Sequence, residues 1–192
     1  MIKIPSTLIL AGAFAAGSAF AAPVTYEIDP SHTYPSFEAD HMGLSFWRGK
    51  FNTTKGEVVL DKEAQTGSVN IAIDVNSVDF GHDEMNKKAR SDELFDTANY
   101  PDAQFAGTLG DFKDGAPTSL KGNLTLHGVT APVDLEITHF KCIMHPMLNK
   151  EACGADASGS FQRDDFGLAF GKEYGFDMTV NLRIQVEAVI KE

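Results

Sequence analysis

Met178-Thr179-Val180-Asn181-Leu182-Arg183-Ile184-Gln185-Val186-Glu187-Ala188 is the stretch on which the fold turns. Apolar and polar side chains alternate without a break, which is the period of a strand with one dry face and one wet face. The pattern recurs upstream. Val69, Ile71, Ile73 and Val75 alternate with Ser68, Asn70, Ala72 and Asp74. Leu120, Leu124 and Leu126 stand against Lys121, Asn123 and Thr125, and Val133, Leu135 and Ile137 against Asp134, Glu136 and Thr138. Between the last two runs, His127-Gly128-Val129-Thr130-Ala131-Pro132 is short enough for a hairpin connection. Shorter candidate strands are Val24–Ile28, Ser36–His41, Glu57–Leu60, Ala103–Gly107 and Ser158–Arg163. Strands covered on both faces would read as continuous apolar runs, and these do not. One-sided strands in this number require a sandwich or a closed barrel. Only His82–Leu94 reads as helix: it lacks Pro and Gly and carries Asp83 and Glu84 in its first turn.

The chain of 192 residues is 43% hydrophobic and 22% charged, the mixture of one ordinary globular domain. That excludes a disordered chain, a collagen and a coiled coil. The net charge of −11 argues against nucleic-acid backbones and against anionic membrane surfaces. No repeat, low-complexity tract or linker divides the chain.

Residues 1–21 read as a cleaved signal peptide, followed by a single domain over 22–192. Met1-Ile2-Lys3 gives a positive start, Leu8–Ala16 a short apolar run, and Ala19-Phe20-Ala21 a cleavage site. The apolar run is too short to span a bilayer, and no later stretch approaches the ~18 apolar residues a span needs. No cysteine follows the cleavage site to carry a lipid anchor. Export places the domain in an oxidising compartment, the periplasm of a Gram-negative cell, where Cys142 and Cys153 are expected to form a disulfide. The alternative is a redox or metal pair. Cys142-Ile143-Met144-His145 lacks the second cysteine of a C-x-x-C, and Cys142, His145 and Cys153 lack a fourth ligand.

No G-x-S-x-G, G-x-G-x-x-G, phosphate loop or H-E-x-x-H occurs. His32 with Asp29, and His41 with Asp40, admit an acid–base or metal reading, but lone histidines near strand ends more often serve structure. The expectation is a non-enzyme with no catalytic residue, no metal and no cofactor. The apolar face remains. An eight-stranded barrel has an interior that side chains just fill or that holds one small ligand. Phe37, Phe46, Phe51, Phe105 and Phe161 suffice to fill it, and periodicity alone does not separate a solid core from a hollow one.

Several segments, taken in order, resemble the YceI-like, polyisoprenoid-binding family. They are Tyr26–His32, Phe37–Gly43, Gly49–Phe51, Asn76–Asp79, Leu94–Asp96, Tyr100–Phe105, Leu120–Val133 and Arg163–Leu168, so the likeness spans about residues 24–190. The resemblance implies an all-β protein, an eight-stranded antiparallel lipocalin-like barrel with one short helix. It implies a long isoprenoid or lipid-like chain inside the barrel and no chemistry upon it. The inward candidates are Phe37, Ala39, Val69, Ile71, Ile73, Leu124, Leu126, Val133, Leu135, Val180, Leu182 and Ile184, with Phe95 and Tyr100 at the mouth. His41 shares the face of Phe37 and Ala39 and is the candidate for a polar head group. Two departures stand out. Pro35 argues for an edge or a strand start. The Cys142–Cys153 insert, similar to an exported subgroup, is expected between strands, where it would reshape the mouth. The oligomeric state stays open, a homodimer included. A solid-cored envelope protein acting through a partner, or a metal- or haem-dependent enzyme, are the alternative readings.

Overall fold

Eleven strands run through residues 22–192, the part of the chain that the computed structural model describes. In chain order they are β1 (Val24–Ile28), β2 (Tyr34–His41), β3 (Ser45–Phe51), β4 (Thr54–Asp61), β5 (Thr66–Asp74), β6 (Val78–Asp79), β7 (Asp102–Gly110), β8 (Ser119–Leu126), β9 (Val129–His145), β10 (Lys150–Gln162) and β11 (Thr179–Ile190). One helix, α1 (Asp83–Arg90), stands between β6 and β7. The signal-peptide reading falls on residues 1–21, outside the described residues.

The eleven strands form eight lanes. Both β1 and β2 lie antiparallel to β11, with Tyr26 opposite Ile190 and Ala39 opposite Val180. Similarly β3 and β4 share a lane beside them, and β5 and β6 the next, with Lys50 opposite Asp79 and Thr54 opposite Ile73. From there β7, β8, β9, β10 and β11 follow as neighbours, and β11 meets the first lane again. The result is a closed, antiparallel, up-and-down barrel of eight lanes with one helix, the lipocalin-like architecture expected from the sequence. Closure leaves no long free edge.

The three split lanes bend at neighbouring points, and polar side chains hold each bend. In the first, the Thr33 hydroxyl donates to Glu187 O and accepts from Glu187 N–H, both at 3.1 Å, so a side chain substitutes for a missing rung of the ladder. In the second, Thr53 N–H donates to the Ser77 hydroxyl at 3.0 Å, beside the backbone bond from Asn52 N–H to Ser77 O. In the third, the Asp74 carboxylate accepts from Asn76 N–H, opening a short 3-10 turn over Val75–Ser77.

The helix is shorter than its sequence pattern. His82 caps it, its ring nitrogen accepting from Met85 N–H, and Lys87, Lys88 and Arg90 close its last turn. Ser91 ends it by donating its hydroxyl to Lys88 O. Residues Phe95–Pro101 form the irregular return that the sequence suggests. Pro35 sits second in β2, at a strand start as expected.

The cysteine segment corrects the sequence reading. Cys142 and Cys153 are cross-strand partners inside the β9–β10 ladder, joined by a disulfide, and not part of an insert between strands. β9 runs seventeen residues and β10 thirteen, well beyond their alternating stretches. Small residues in Ala152–Ser160 hide a strand that pairing with β9 and β11 imposes, since strand preference follows its neighbours more than its own composition.

Candidate functional site

Side chains that alternate inward from the lanes surround an apolar cavity of about 440 Å³. That size falls within the roughly 300–1,000 Å³ usual for ligand pockets. Many inward residues, among them Ala39, Ile71, Ile73, Leu182 and Ile184, are only half-buried although they point into the barrel. They face open space, so the barrel is hollow. Phe46 does not contribute to filling it: the residue points outward and is 52% exposed.

Close backbone approach shapes the wall. Gly107 and Gly122 are direct partners on β7 and β8. A Cβ on Gly122 would stand 2.5 Å from the Phe105 ring and 2.6 Å from Ala106 O. A Cβ on Gly49 would stand 2.6 Å from the Phe37 ring. Glycine lets these rings lie flat along the wall.

Of the residues singled out by sequence, Phe37, Ala39 and His41 on β2 line the cavity, as do Val69, Ile71 and Ile73 on β5. Leu124, Leu126, Val133 and Leu135 line it from β8 and β9, and Val180, Leu182 and Ile184 from β11. Phe95 lines it too, but deeper than a mouth position, its ring 5.8 Å from Phe51 and 6.4 Å from Phe37. Tyr100 is the exception. Its ring stacks on His127 at 4.2 Å and covers Gly128, the tip of the β8–β9 turn. The turn itself is the two residues His127 and Gly128, both at positive φ, so Ala131 and Pro132 belong to β9.

The two ends of the cavity differ. At one end Tyr26, Leu60 and Pro117 line it and are almost wholly buried, a plug completed by Ile28 and Ala188. At the other end, His41, Trp47, Met85, Lys88 and Arg163 are half-buried and Phe170 is exposed. This end is the mouth. The helix flanks it, and residues 163–178 arch over it between β10 and β11. Arg163 holds that arch, donating to Leu168 O at 2.6 Å and to Phe170 O at 2.7 Å. Burial lowers the Arg163 pKa, with Asp164 and Asp40 opposing the effect. The ammonium of Lys88 lies over the Phe170 ring at 4.7 Å and pairs with Glu93. His41 sits between Trp47, 5.4 Å away, and Phe176, 5.6 Å away. The charged side chains that line the cavity, Asp40, Lys88 and Arg163, gather here with His41.

Sequence reasoning missed Trp47, Phe80, Met85, Phe170 and Phe176. Trp47 was legible as the residue opposite Ala39 once the hairpin was drawn. The arch residues Phe170 and Phe176 were not, because irregular backbone carries no period.

Other ionisable groups with partners lie away from the mouth. The Asp29 carboxylate accepts from Ser31 N–H and hydroxyl and meets His32 Nδ1 at 2.7 Å. Ser31 first, then His32, lowers the Asp29 pKa, while Asp29 raises that of His32. Tyr26 donates to Glu151, which also pairs with Lys62, and burial raises the Tyr26 pKa. Among the described residues, the one cluster with metal-ligand spacing is Cys142, Glu151 and Cys153. Its sulfurs are tied up in the disulfide, which leaves too few ligands for a structural metal.

Residues 26–190 match the family described as the YceI-like domain. The chain belongs to the YceI-like family. Among YceI-like relatives, a UPF0312 protein of Enterobacter sp. (strain 638) is 36% identical over 178 residues, covering 92% of this chain and 91% of that protein. Protein YceI of Escherichia coli O6:H1 is 36% identical over 156 residues, 81% of each chain. Among solved structures, the YCEI protein of Campylobacter jejuni superposes with a TM-score of 0.66 at 25% identity, over 80% of this chain and 90% of that one. A polyisoprenoid binding domain from Saccharophagus degradans shares the fold at a TM-score of 0.61 and 18% identity, over 88% of this chain and 99% of that one. No helix among the described residues is long and apolar enough to cross a membrane.

Proposed function

We propose that this YceI-like protein is a periplasmic binding or carrier protein that encloses one isoprenoid- or lipid-like chain in its barrel and performs no chemistry on it. The observation that carries this reading is the hollow, apolar interior with one polar mouth. Each buried methylene contributes roughly 0.8 kcal/mol, so a chain of about ten carbons offsets its own ordering with few polar contacts. The polyisoprenoid binding domain from Saccharophagus degradans, which shares the fold, supports the ligand class. The leader-like start of the sequence and the Cys142–Cys153 disulfide support export to the periplasm.

The test uses protein purified from the periplasm without detergent, extracted with organic solvent and analysed by mass spectrometry beside an empty-vector control. A stoichiometric lipid or isoprenoid is the expected result. A clean extract, together with failure to take up a labelled prenyl chain offered from cyclodextrin, overturns the reading.

A further inference from the structure

We infer that the mouth end of the barrel docks onto the surface of a zwitterionic lipid bilayer, so that the cavity loads and unloads against the membrane. This rests on the carrier reading above. Two loops rim the mouth. One is the tip of the β2–β3 hairpin, where Met42 and Leu44 in the turn and Phe46 at the start of β3 are 53%, 81% and 52% exposed. The other is the arch over 163–178, with Phe170 38% and Tyr174 67% exposed.

The loops are stapled into one surface. Asp177 N–H donates to the Asp40 carboxylate at 3.1 Å, and the His41 and Phe176 rings meet edge to face. Single exposed apolar residues need no explanation, but several on one rigid rim do. Phe170 supplies the link between the rim and the interior, because it both lines the cavity and reaches solvent. Phe170 thus carries apolar surface from the barrel interior to the outside, beside the charged groups of the mouth and at the end that is not plugged. An apolar chain that leaves the cavity meets these side chains first, and a bilayer is the phase in which it dissolves.

Charge chooses the kind of membrane. The net charge of −11 repels anionic headgroups. The cations at the rim are already engaged, Lys88 with Glu93, Arg48 with Glu38 and Lys172 with Asp164, while Arg163 donates to two backbone carbonyls of the arch. Docking is therefore by shallow apolar insertion, of the kind that amphipathic surfaces make, and not by electrostatic attraction.

The experiment measures co-sedimentation of the mature protein with vesicles of pure phosphatidylcholine, and with vesicles that also contain phosphatidylglycerol. Wild type is expected to bind the first and to bind the second more weakly. Leu44→Asp combined with Tyr174→Asp takes one residue from each loop, neither of which lines the cavity. The pair is expected to cut vesicle binding by about tenfold. It is expected to leave the melting temperature and uptake of a labelled prenyl chain from cyclodextrin unchanged. Met144 and Met147, 67% and 86% exposed at the β9–β10 tip beyond the plug, provide the control. Their replacement by Asp is expected to change nothing.

Three results overturn the docking: no binding to phosphatidylcholine, binding that survives the mouth variant, or binding lost only in the tip variant. A rim that instead joins two copies, seen as a dimer that the mouth variant dissociates in the absence of vesicle binding, overturns it as well. Uptake from cyclodextrin reports on the carrier reading separately, so the two can fail independently.

Discussion

Thr54 is almost completely buried on the cavity wall, and its hydroxyl has no hydrogen-bond partner among the described residues. An unpaired buried hydroxyl costs stability that an isosteric methyl does not. Thr54→Val is therefore expected to stabilise the empty protein by about 1 kcal/mol, measured by urea unfolding. A loss of stability would mean that the hydroxyl has a partner. Asp79 is the opposite case. Its carboxylate accepts from Gly81 N–H and from the side-chain amides of Asn86 and Asn52, tying β6 to α1 and to the β3–β4 bend. The Gly81 bond first, then the two amides, holds its pKa below the ordinary carboxylate value. A depressed folded pKa adds stability that is present above the unfolded value and lost as pH falls through the folded one. Asp79→Ala is thus expected to lower the melting temperature at pH 7, and the gap to wild type should close below about pH 4. A gap constant with pH would assign the effect to packing. At the mouth, His41→Phe is expected to weaken uptake of a prenyl phosphate severalfold while sparing a plain alkane of equal length. Equal uptake of both discards His41 as the head-group contact. The inward set was readable because a strand's period of two assigns every other residue to one face. Tyr100 was not, because a residue in an irregular return has no such parity, and it found His127 instead.

Among the elements, those with long apolar alternation matched their sequence signal, β11 and β5 above all. The segment around Cys142 did not. In β9, Phe140, Cys142 and Met144 follow the bulge beside Asp156 and Ala157, where the register shifts and a simple alternation loses phase. The disulfide bridges two adjacent strands at a sequence separation of 11. Closing so short a loop restricts the unfolded chain by about 3 kcal/mol in the chain-entropy account. Cys142→Ser with Cys153→Ser is expected to lower stability by an amount of that order. Because the bridge lies toward the plugged end, ligand uptake by the folded variant is expected to match wild type. Altered uptake would return the cysteine segment to the mouth, where the sequence had suggested it.

For the molecule as a whole, the barrel class was legible from pattern, but its hollowness was not. Which face is dry follows from alternation. Whether opposing dry faces meet depends on lane number, on the close approaches at Gly49, Gly107 and Gly122, and on small inward residues such as Ala39 and Ala155. The chain offers a built-in probe of the outcome. Its one tryptophan, Trp47, lies at the mouth, half-buried beside His41 and Phe80. Loading with an apolar chain is expected to displace water there and move Trp47 emission to shorter wavelength. Emission that is unchanged at full occupancy would place the ligand away from the mouth.

The seam of the barrel also sets an order of events. The first lane and β11 are the two ends of the described chain, and the ring shuts only where they meet. Residues 179–190 are made after every other strand of the barrel. Until they arrive, the earlier lanes form an open curl with a wet interior and two bare edges. A chain cut short before Met178 would therefore lose its clasp, not merely its final strand. A compartment that held such fragments would contain sheets ready to join one another and no enclosed space within them.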